Sequence, residues 1–143
     1  MSRTDNLGIA LRVFAAINLL NGIWMLASPN GWFYGIPAAV PDTGPLNEHF
    51  VRDVGGTYVT MALALLWAAE RRALRVPLVT IVLVFHVLHA GAHMVDTLAG
   101  RLPMSHWAVD FPGVYLPTIG LVLILVVAAR QSRRADVLGH DRS

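Results

Sequence analysis

Long apolar segments alternate with short polar ones along the whole chain. Four of them, at about 7–27, 50–69, 76–98 and 111–129, approach the ~20 residues that an α-helix needs to cross the hydrocarbon core of a bilayer. The connecting segments are rich in proline, glycine or arginine, residues typical of loops and of the ends of membrane helices. The pattern predicts an all-α integral membrane four-helix bundle, a single transmembrane domain over 1–143 with a polar cytoplasmic tail at 130–143.

The composition supports this class of protein. Hydrophobic residues make up 55% of the chain and charged residues 14%, whereas a soluble domain has about 25% charged residues. Cysteine is absent, which excludes disulfides and thiolate metal sites. All 11 basic residues are arginine, so Schiff-base chemistry of lysine is excluded. The sequence contains no phosphate-binding loop, dinucleotide fingerprint or nucleophile elbow.

The arginines are concentrated on one side of the predicted bundle. That side holds Arg3, Arg12, Arg71, Arg72, Arg75, Arg130, Arg133, Arg134 and Arg142. The opposite side has only Arg52 and Arg101. Because cytoplasmic loops carry the excess of arginine, we expect both termini in the cytoplasm and the protein in a bacterial cytoplasmic membrane. The excess of arginine on the cytoplasmic side, next to membrane lipid, then accounts for the sequence pI of about 9.7, and no nucleic-acid partner is expected.

The third apolar segment carries a polar stripe. Its ionisable residues are His86, His89, His93 and Asp96. At ~100° per residue, their side chains lie within an arc of roughly 80°. Ionisable residues inside a membrane are costly and usually face the bundle interior or a cavity. We therefore expect the function of the protein to lie along this helix face.

The second segment brings further ionisable residues to the same depth. It begins with Glu48, His49, Arg52 and Asp53, which form two pairs at i, i+4. If both segments are centred in the bilayer, His93 is level with Asp53, ~10 Å outside the midplane, and His49 is level with Asp96 at ~16 Å. A short turn joins the two segments, so they are expected to be antiparallel neighbours. The ionisable side chains of the two helices should then face each other in the outer half of the bundle.

A metal site is one interpretation of these residues. The i, i+4 spacing of His89 and His93 lets two imidazoles bind one ion from a single helix face. Imidazole and carboxylate ligands suit divalent transition metals such as zinc, iron or copper. The predicted metal ligands are His86, His89, His93, His49, Asp53 and Asp96. His106 and Asp110 lie in the outer loop above this group.

Acid–base chemistry without a metal is a second interpretation. His89, His93 and Asp53 would then be catalytic and exchange protons with a lipid-soluble, quinone-like substrate, while Arg52 neutralises an acidic group. Haem is disfavoured, because its two axial histidines must lie at one depth on different helices. In a third interpretation the same residues only fix helix packing through hydrogen bonds. An enzyme and a non-enzymatic accessory or proton- or ion-transport subunit both stay open, as does oligomerisation.

Small residues follow the charged cluster of the second segment. Gly55 and Gly56 occur there side by side. Because small residues let membrane helices approach closely, we expect a helix contact at this level. Gly91 faces away from the histidine stripe and is expected to have the same packing role.

The layout resembles that of the DoxX-like group of small bacterial membrane proteins. The similarity lies in the length, in the aromatic and proline-rich outer loop SPNGWFYGIP, and in the polar opening N-E-H-F-x-R-D-x-G of the second helix, Asn47 to Gly55. It covers nearly the whole chain. The resemblance implies a four-helix membrane bundle that works with a redox partner. A membrane transport partner is the alternative that the accessory interpretation allows. It assigns no catalytic residue.

Overall fold

Helices form all the regular structure in the described part of the chain. The computed structural model describes residues 5–140, and the side chains of residues 5–134. The α-helices are α1 (Asn6–Ala27), α2 (Pro29–Gly35), α3 (Glu48–Glu70), α4 (Arg75–Leu98), α5 (His106–Val109) and α6 (Leu116–His140). Two 3-10 turns, Val40–Thr43 and Arg72–Leu74, and a π-helical turn, Phe111–Tyr115, lie between them. The prediction of an all-α chain is confirmed.

Three segments are long and apolar enough to cross a membrane. They are Asn6–Ala27, Arg72–Leu98 and Phe111–Arg134, which correspond to the first, third and fourth predicted spans. Helix α3 is as long, with 23 residues, but its first two turns carry the charged residues of the second predicted span. The structure therefore supports a membrane protein with three membrane-capable helices and one long helix of more mixed character.

Side-chain caps and prolines set several helix ends. The Asp5 carboxylate accepts a hydrogen bond from the Gly8 amide at 3.1 Å and begins α1. Asn47 caps α3 in the same way, through the Phe50 amide at 3.1 Å. Both contacts satisfy amides that have no partner within their own helix. Pro29 begins α2, where its missing N–H costs no hydrogen bond.

The main apolar core joins α1, α3, α4 and α6. Its buried side chains include Leu11, Ala15, Leu65, Val79, Val82, Leu121 and Ala128. A second, smaller cluster lies under α2 and consists of Met25, Phe33 and Val51. The indole of Trp32 donates a 2.8 Å hydrogen bond to the Asn21 side chain and fastens α2 to α1. The predicted proline-rich loop is thus an ordered segment that covers one end of the bundle.

Helices α1 and α3 cross at two glycines. A methyl group on Gly22 would lie 2.7 Å from the Gly55 carbonyl oxygen, and one on Gly55 would lie 2.8 Å from Met25 Cβ. Only glycine allows this approach of the two backbones. The expected packing role is therefore confirmed for Gly55. Gly56 and Gly91 make no such approach, because no described atom from another part of the structure lies within 4 Å of a methyl group at either position.

A buried arginine joins three helices at the end of the bundle where α1 begins. Arg75 is 2% exposed and donates to both oxygens of the Asp5 carboxylate. It also donates to the carbonyl oxygens of Ala68 and Ala69, each at 3.3 Å. The hydrogen bond from Arg75 lowers the pKa of Asp5, although partial burial acts in the opposite direction. The nearby Arg12–Glu70 pair, at 2.9 Å, is half exposed.

The polar tail predicted for 130–143 continues α6. The helix runs to His140, so most of the tail extends the fourth predicted span. Residues 141–143 lie outside the described part of the chain, as do the first four residues. Arg3 and Arg142, which were used to predict the orientation, therefore have no structural description.

Candidate functional site

One group of imidazole and carboxylate side chains converges where α4 meets the segment before α6. It consists of His93 on α4, His106 on α5 and Asp110, which directly follows α5. We call these three residues the His–Asp cluster. Each offers one ligand atom, and the three atoms all lie within 4.8 Å of one another. Among the described residues, this is the group whose geometry suits a bound metal ion.

Asp110 is the centre of the His–Asp cluster. Its Oδ2 atom lies 2.8 Å from Nδ1 of His93, and both of its oxygens lie 3.2 Å from Nδ1 of His106. Asp110 and His106 are each 1% exposed. A buried carboxylate is costly unless it is paired and hydrogen-bonded. The two imidazoles supply this pairing, so the cluster is a connected polar network within an apolar protein.

A second carboxylate reaches the far side of the His106 ring. Asp42, in the 3-10 turn Val40–Thr43, places Oδ2 3.1 Å from Nε2 of His106. Burial of His106 opposes its protonation, but the hydrogen bonds to Asp42 and Asp110 outweigh this effect and raise its pKa. The side chain of Asp42 is 48% exposed. The network therefore runs from the surface of the protein to the buried Asp110.

The chain reverses sharply to bring α5 back onto α4. Gly100 follows α4 with a φ of 71°, a left-handed conformation that favours glycine at the end of a helix. The carbonyl oxygen of Asp96 then accepts from the Arg101 amide at 2.9 Å and from the Leu102 amide at 3.2 Å. This turn returns the chain toward α4, so that His106 and Asp110 reach the last turns of that helix beside His93.

The other two histidines of α4 continue from the cluster as an aromatic column. The His89 ring meets the His93 ring edge-on, with centroids 4.7 Å apart, and stacks on Phe85 at 5.8 Å. His86 is 4% exposed, and its Nδ1 atom lies 3.0 Å from the Val82 carbonyl oxygen of its own helix. His89 thus touches the cluster through His93, whereas His86 is satisfied separately.

The structure places the ionisable residues of α3 on the outside of the bundle. His49 pairs with Asp53 at 3.4 Å, and Arg52 pairs with Glu48 at 3.0 Å. The side chains of His49 and Asp53 are 88% and 64% exposed. The expected polar contact between these residues and His93 does not occur among the described hydrogen bonds and ion pairs. The reason is that α3 packs onto α1 at Gly55, which turns His49 and Asp53 outward.

Asp96 also lies apart from the His–Asp cluster. Its carboxylate pairs with Arg101 at 2.6 Å, and its side chain is 42% exposed. Helix α4 ends two residues later, so Asp96 stabilises the chain reversal. The catalytic and metal-binding roles predicted for Asp96, His49, Arg52 and Asp53 remain predictions, since these contacts do not join them to His93.

The sequence placed two residues of the cluster, His106 and Asp110, in the outer loop, but it did not identify them as metal ligands. His106 and Asp110 are four residues apart, the same spacing that marked His49 and Asp53 as a pair. That spacing was the available signal. It was insufficient because nothing in the loop sequence shows that a single helical turn forms there and folds back onto α4.

A buried hydroxyl lies one turn beyond His93 on α4. Thr97 is 1% exposed, and its Oγ1 atom has no hydrogen-bond partner among the described residues. Threonine in a helix ordinarily donates to the carbonyl four residues earlier, as Thr80 does on the same helix. An unsatisfied buried hydroxyl is costly. The Thr97 hydroxyl is therefore an additional polar group, one turn from His93, that the three cluster residues do not hydrogen-bond.

Comparisons with known proteins give no assignment. No family model matches the chain, and no curated protein and no solved structure matches it. The function must therefore be argued from the chemistry and geometry of the site.

Proposed function

We propose that the protein is a four-span membrane protein of the bacterial cytoplasmic membrane, with α3 as the additional span. Three membrane-capable helices support this placement. So does the length of α3, whose 23 residues measure ~34 Å at 1.5 Å per residue against a hydrocarbon core of ~30 Å. The arginine-rich turn at Arg71, Arg72 and Arg75 supports a cytoplasmic position for that end of the bundle and for both termini.

We propose that the His–Asp cluster binds a divalent transition metal ion. The ligands would be the two Nδ1 atoms of His93 and His106 and the carboxylate of Asp110. The observation that carries the proposal is the convergence of three ligand atoms within 4.8 Å, with two of the residues fully buried. Two imidazoles and one carboxylate leave open positions on the ion, a donor set found in catalytic zinc and non-haem iron sites.

The contact between Asp42 and His106 supports the metal assignment. A histidine that binds a metal almost always donates its other ring N–H to a carboxylate or carbonyl, which fixes the tautomer and orients the ring. Asp42 lies 3.1 Å from Nε2 of His106 and suits that role. The Nδ1 atom is then left deprotonated to face the ion.

A bound ion with open positions would act as a Lewis acid toward a water molecule or an oxygen of a lipid-soluble substrate. The protein side chains would hold and move the proton. Asp110 and His93 lie within hydrogen-bond distance of each other, and the His89 ring meets the His93 ring edge-on. A quinone-like headgroup is the class of substrate that such a site, reached from the bilayer, would suit.

A second candidate function is proton relay without a metal. It is favoured by the unbroken series of contacts from the exposed Asp42 through His106 and Asp110 to His93, at 3.1, 3.2 and 2.8 Å. Such a series can pass protons between the outer surface and a membrane-embedded group. If the purified protein binds no metal, replacement of Asp110 should abolish proton-coupled activity while the protein still folds.

Metal content of the purified protein tests the first proposal. After loading with Zn²⁺ or Fe²⁺ and desalting, wild-type protein should retain one ion per chain. His93→Ala and His106→Ala should each retain at least tenfold less at limiting metal. His49→Ala is the matched control, because His49 also pairs with an aspartate at i+4 but lies outside the cluster.

The metal-retention experiment has three informative outcomes. Loss of metal in the cluster variants and retention in His49→Ala support the proposed ligands. Loss of metal in His49→Ala would instead favour the ligand set first predicted from the sequence. A metal-free wild-type protein after loading would overturn the metal proposal.

We also propose that the protein belongs to the DoxX-like group and works beside a membrane redox or transport partner. The support is the shared layout of helices and the polar opening of α3, Asn47 to Gly55. Purification from native membranes with a mild detergent tests the partner. A larger redox or transport subunit should co-purify in constant proportion, and its absence would contradict the accessory role.

A further inference from the structure

The outward face of α3 is unlike the other exposed surfaces of the bundle. It carries His49, Arg52, Asp53, Gly56 and Thr60, which lie within an arc of roughly 100° at ~100° per residue. The three ionisable side chains are 88%, 46% and 64% exposed, and Thr60 is exposed as well. We call this surface the α3 outer face. The other helices expose mainly apolar side chains, among them Ile9, Ile17, Ile81, Leu88 and Leu123.

An uncovered α3 outer face fits poorly with hydrocarbon. This step rests on the proposed membrane placement of α3. Ionisable residues in membrane helices almost always face protein or a water-filled cavity, yet no other part of the described chain covers these side chains. Thr60 satisfies its hydroxyl by donating to the Gly56 carbonyl at 2.9 Å, but Arg52 and Asp53 have only exposed partners on their own helix. Another protein surface is needed to cover them.

We propose that a second copy of this chain packs against the α3 outer face, with the two α3 helices parallel about a two-fold axis normal to the membrane. In such a contact the same patch meets itself, so it must carry both signs of charge. The patch does so, because the basic Arg52 and the acidic Asp53 lie side by side on it and are both exposed. Arg52 of one copy then lies at the depth of Asp53 of the other copy.

The two adjacent glycines of α3 have different surroundings, and this difference supports the contact. The space beside Gly55 is already occupied by α1 of the same chain, because a methyl group there would meet Met25 Cβ at 2.8 Å. At Gly56, one residue further, no described atom beyond the adjoining residues and backbone of α3 itself lies within 4 Å of the methyl position. Gly56 and Thr60 are four residues apart on the outer face, a spacing of small residues that lets two membrane helices approach closely. Each glycine thus serves one interface, the first within the chain and the second between copies.

Cysteine cross-linking in native membranes tests this contact, since the wild-type chain has no cysteine. Thr60→Cys places a thiol on the α3 outer face. Thr80→Cys is the matched control, because Thr80 on α4 is also exposed and also donates to the carbonyl four residues earlier, at 2.8 Å. Under mild oxidation, Thr60→Cys should give at least ten times more product at twice the 15.6 kDa chain mass.

A second substitution tests whether the charges of the α3 outer face contribute to the contact. Arg52→Glu in the Thr60→Cys background should lower the cross-linked fraction several-fold, because acidic residues would then face each other across the axis. The thermal midpoint of each variant shows that it is folded, and its metal content is scored separately, so failure of the metal proposal does not affect the result.

The outcomes separate clearly. Preferential cross-linking of Thr60→Cys that falls with Arg52→Glu supports the proposal. Equal or absent cross-linking of Thr60→Cys and Thr80→Cys, with both proteins present at wild-type levels, overturns it. A cross-linked product of another mass overturns the second copy as the occupant, and unchanged cross-linking in Arg52→Glu overturns the role of charge.

Discussion

At the scale of single residues, His106 has the most unusual surroundings. A carboxylate lies near each of its ring nitrogens, Asp42 at 3.1 Å and Asp110 at 3.2 Å. A neutral imidazole has one N–H to donate, whereas the imidazolium has two. Without a metal, the two carboxylates therefore favour the charged ring, and a metal ion must displace one of its protons.

The raised pKa of His106 predicts a pH dependence of stability for the metal-free protein. Since the folded pKa lies above the ordinary value of 6.5, protonation of His106 stabilises the fold. This contribution is complete below pH ~6.5 and is lost as the pH rises through the higher folded pKa. The thermal midpoint of wild-type protein relative to His106→Asn should fall with rising pH in this window. A difference that grows with pH would contradict the assignment.

Asp42 should tune the affinity for metal without binding the ion. Asp42→Asn keeps the shape of the side chain but removes the charge that orients His106. We expect 10- to 100-fold weaker binding of Zn²⁺, measured by competition with a chelating dye. Asp96→Asn is the control, because Asp96 pairs with Arg101 outside the cluster. Equal affinities for the two variants would show that the Asp42 contact does not matter to the site.

The residues of the site could be predicted only in part from the sequence. The polar stripe on α4 identified His93, because the angular position of a side chain around a helix follows from the sequence alone. The partners of His93 could not be chosen this way, because the sequence does not show which carboxylate, Asp53 on α3 or Asp110 before α6, contacts its ring. The choice between them depends on how α3 rotates onto α1, which is set by the contact of Gly22 with Gly55.

At the scale of helices, the crossing of α1 and α3 sets the position of every polar residue on α3. Gly22→Ala or Gly55→Ala would place a methyl group under 3 Å from the opposing helix, so the helices must separate. We expect a loss of about 1–3 kcal/mol in the free energy of unfolding. Unfolding in mixed micelles by a denaturing detergent measures this change.

Gly91→Ala is the control for the crossing. Apart from the adjoining residues and backbone of α4, no atom in the described part of the chain lies within 4 Å of a methyl group at Gly91. Alanine also favours a helix over glycine by up to about 1 kcal/mol. The variant should therefore be neutral or slightly more stable. Equal destabilisation by Gly91→Ala and Gly55→Ala would contradict the close crossing.

Long helices were predicted from sequence far better than short ones. Apolar runs of about 20 residues located α1, α4 and α6, because an apolar segment of this length forms few structures other than a long helix. Helices α2 and α5, with 7 and 4 residues, are too short for a periodic pattern. Their positions depend on tertiary contacts such as that of Trp32 with Asn21 and that of His106 with Asp42.

At the scale of the whole molecule, Arg75 and Asp5 hold one end of the bundle together. Their contact links the start of α1 to the start of α4, and Arg75 also bonds the last carbonyls of α3. Asp5→Asn would leave a buried guanidinium without its counter-charge. We expect a loss of about 3 kcal/mol in the free energy of unfolding, again measured in mixed micelles.

The exposed Arg12–Glu70 pair provides the comparison. Glu70→Gln should cost less than about 1 kcal/mol, because both members of the pair are at least half exposed and exposed ion pairs contribute little to stability. The lowered pKa of Asp5 adds a pH test: its contribution is present above pH ~4 and is lost as the pH falls through the lower folded pKa. A Glu70→Gln variant as unstable as Asp5→Asn would contradict the special role of Arg75.

Global arrangement was the level at which the sequence was least informative. Arginine asymmetry and segment length indicate how the helices are oriented, but they do not specify which faces touch. The outward position of His49 and Asp53 illustrates this, because a helix that was expected to cover a site instead exposes a polar face. The site and the exposed face lie on different surfaces, which is why we assign them to different functions.

The most direct test of the central claim is X-ray absorption spectroscopy of the zinc-loaded protein. A site formed by His93, His106 and Asp110 predicts two imidazole ligands at about 2.0–2.1 Å together with oxygen ligands. In His106→Ala, any residual zinc should show one imidazole fewer. An all-oxygen shell in wild-type protein, or an imidazole count unchanged by His106→Ala, would contradict the proposal that the His–Asp cluster is a metal centre.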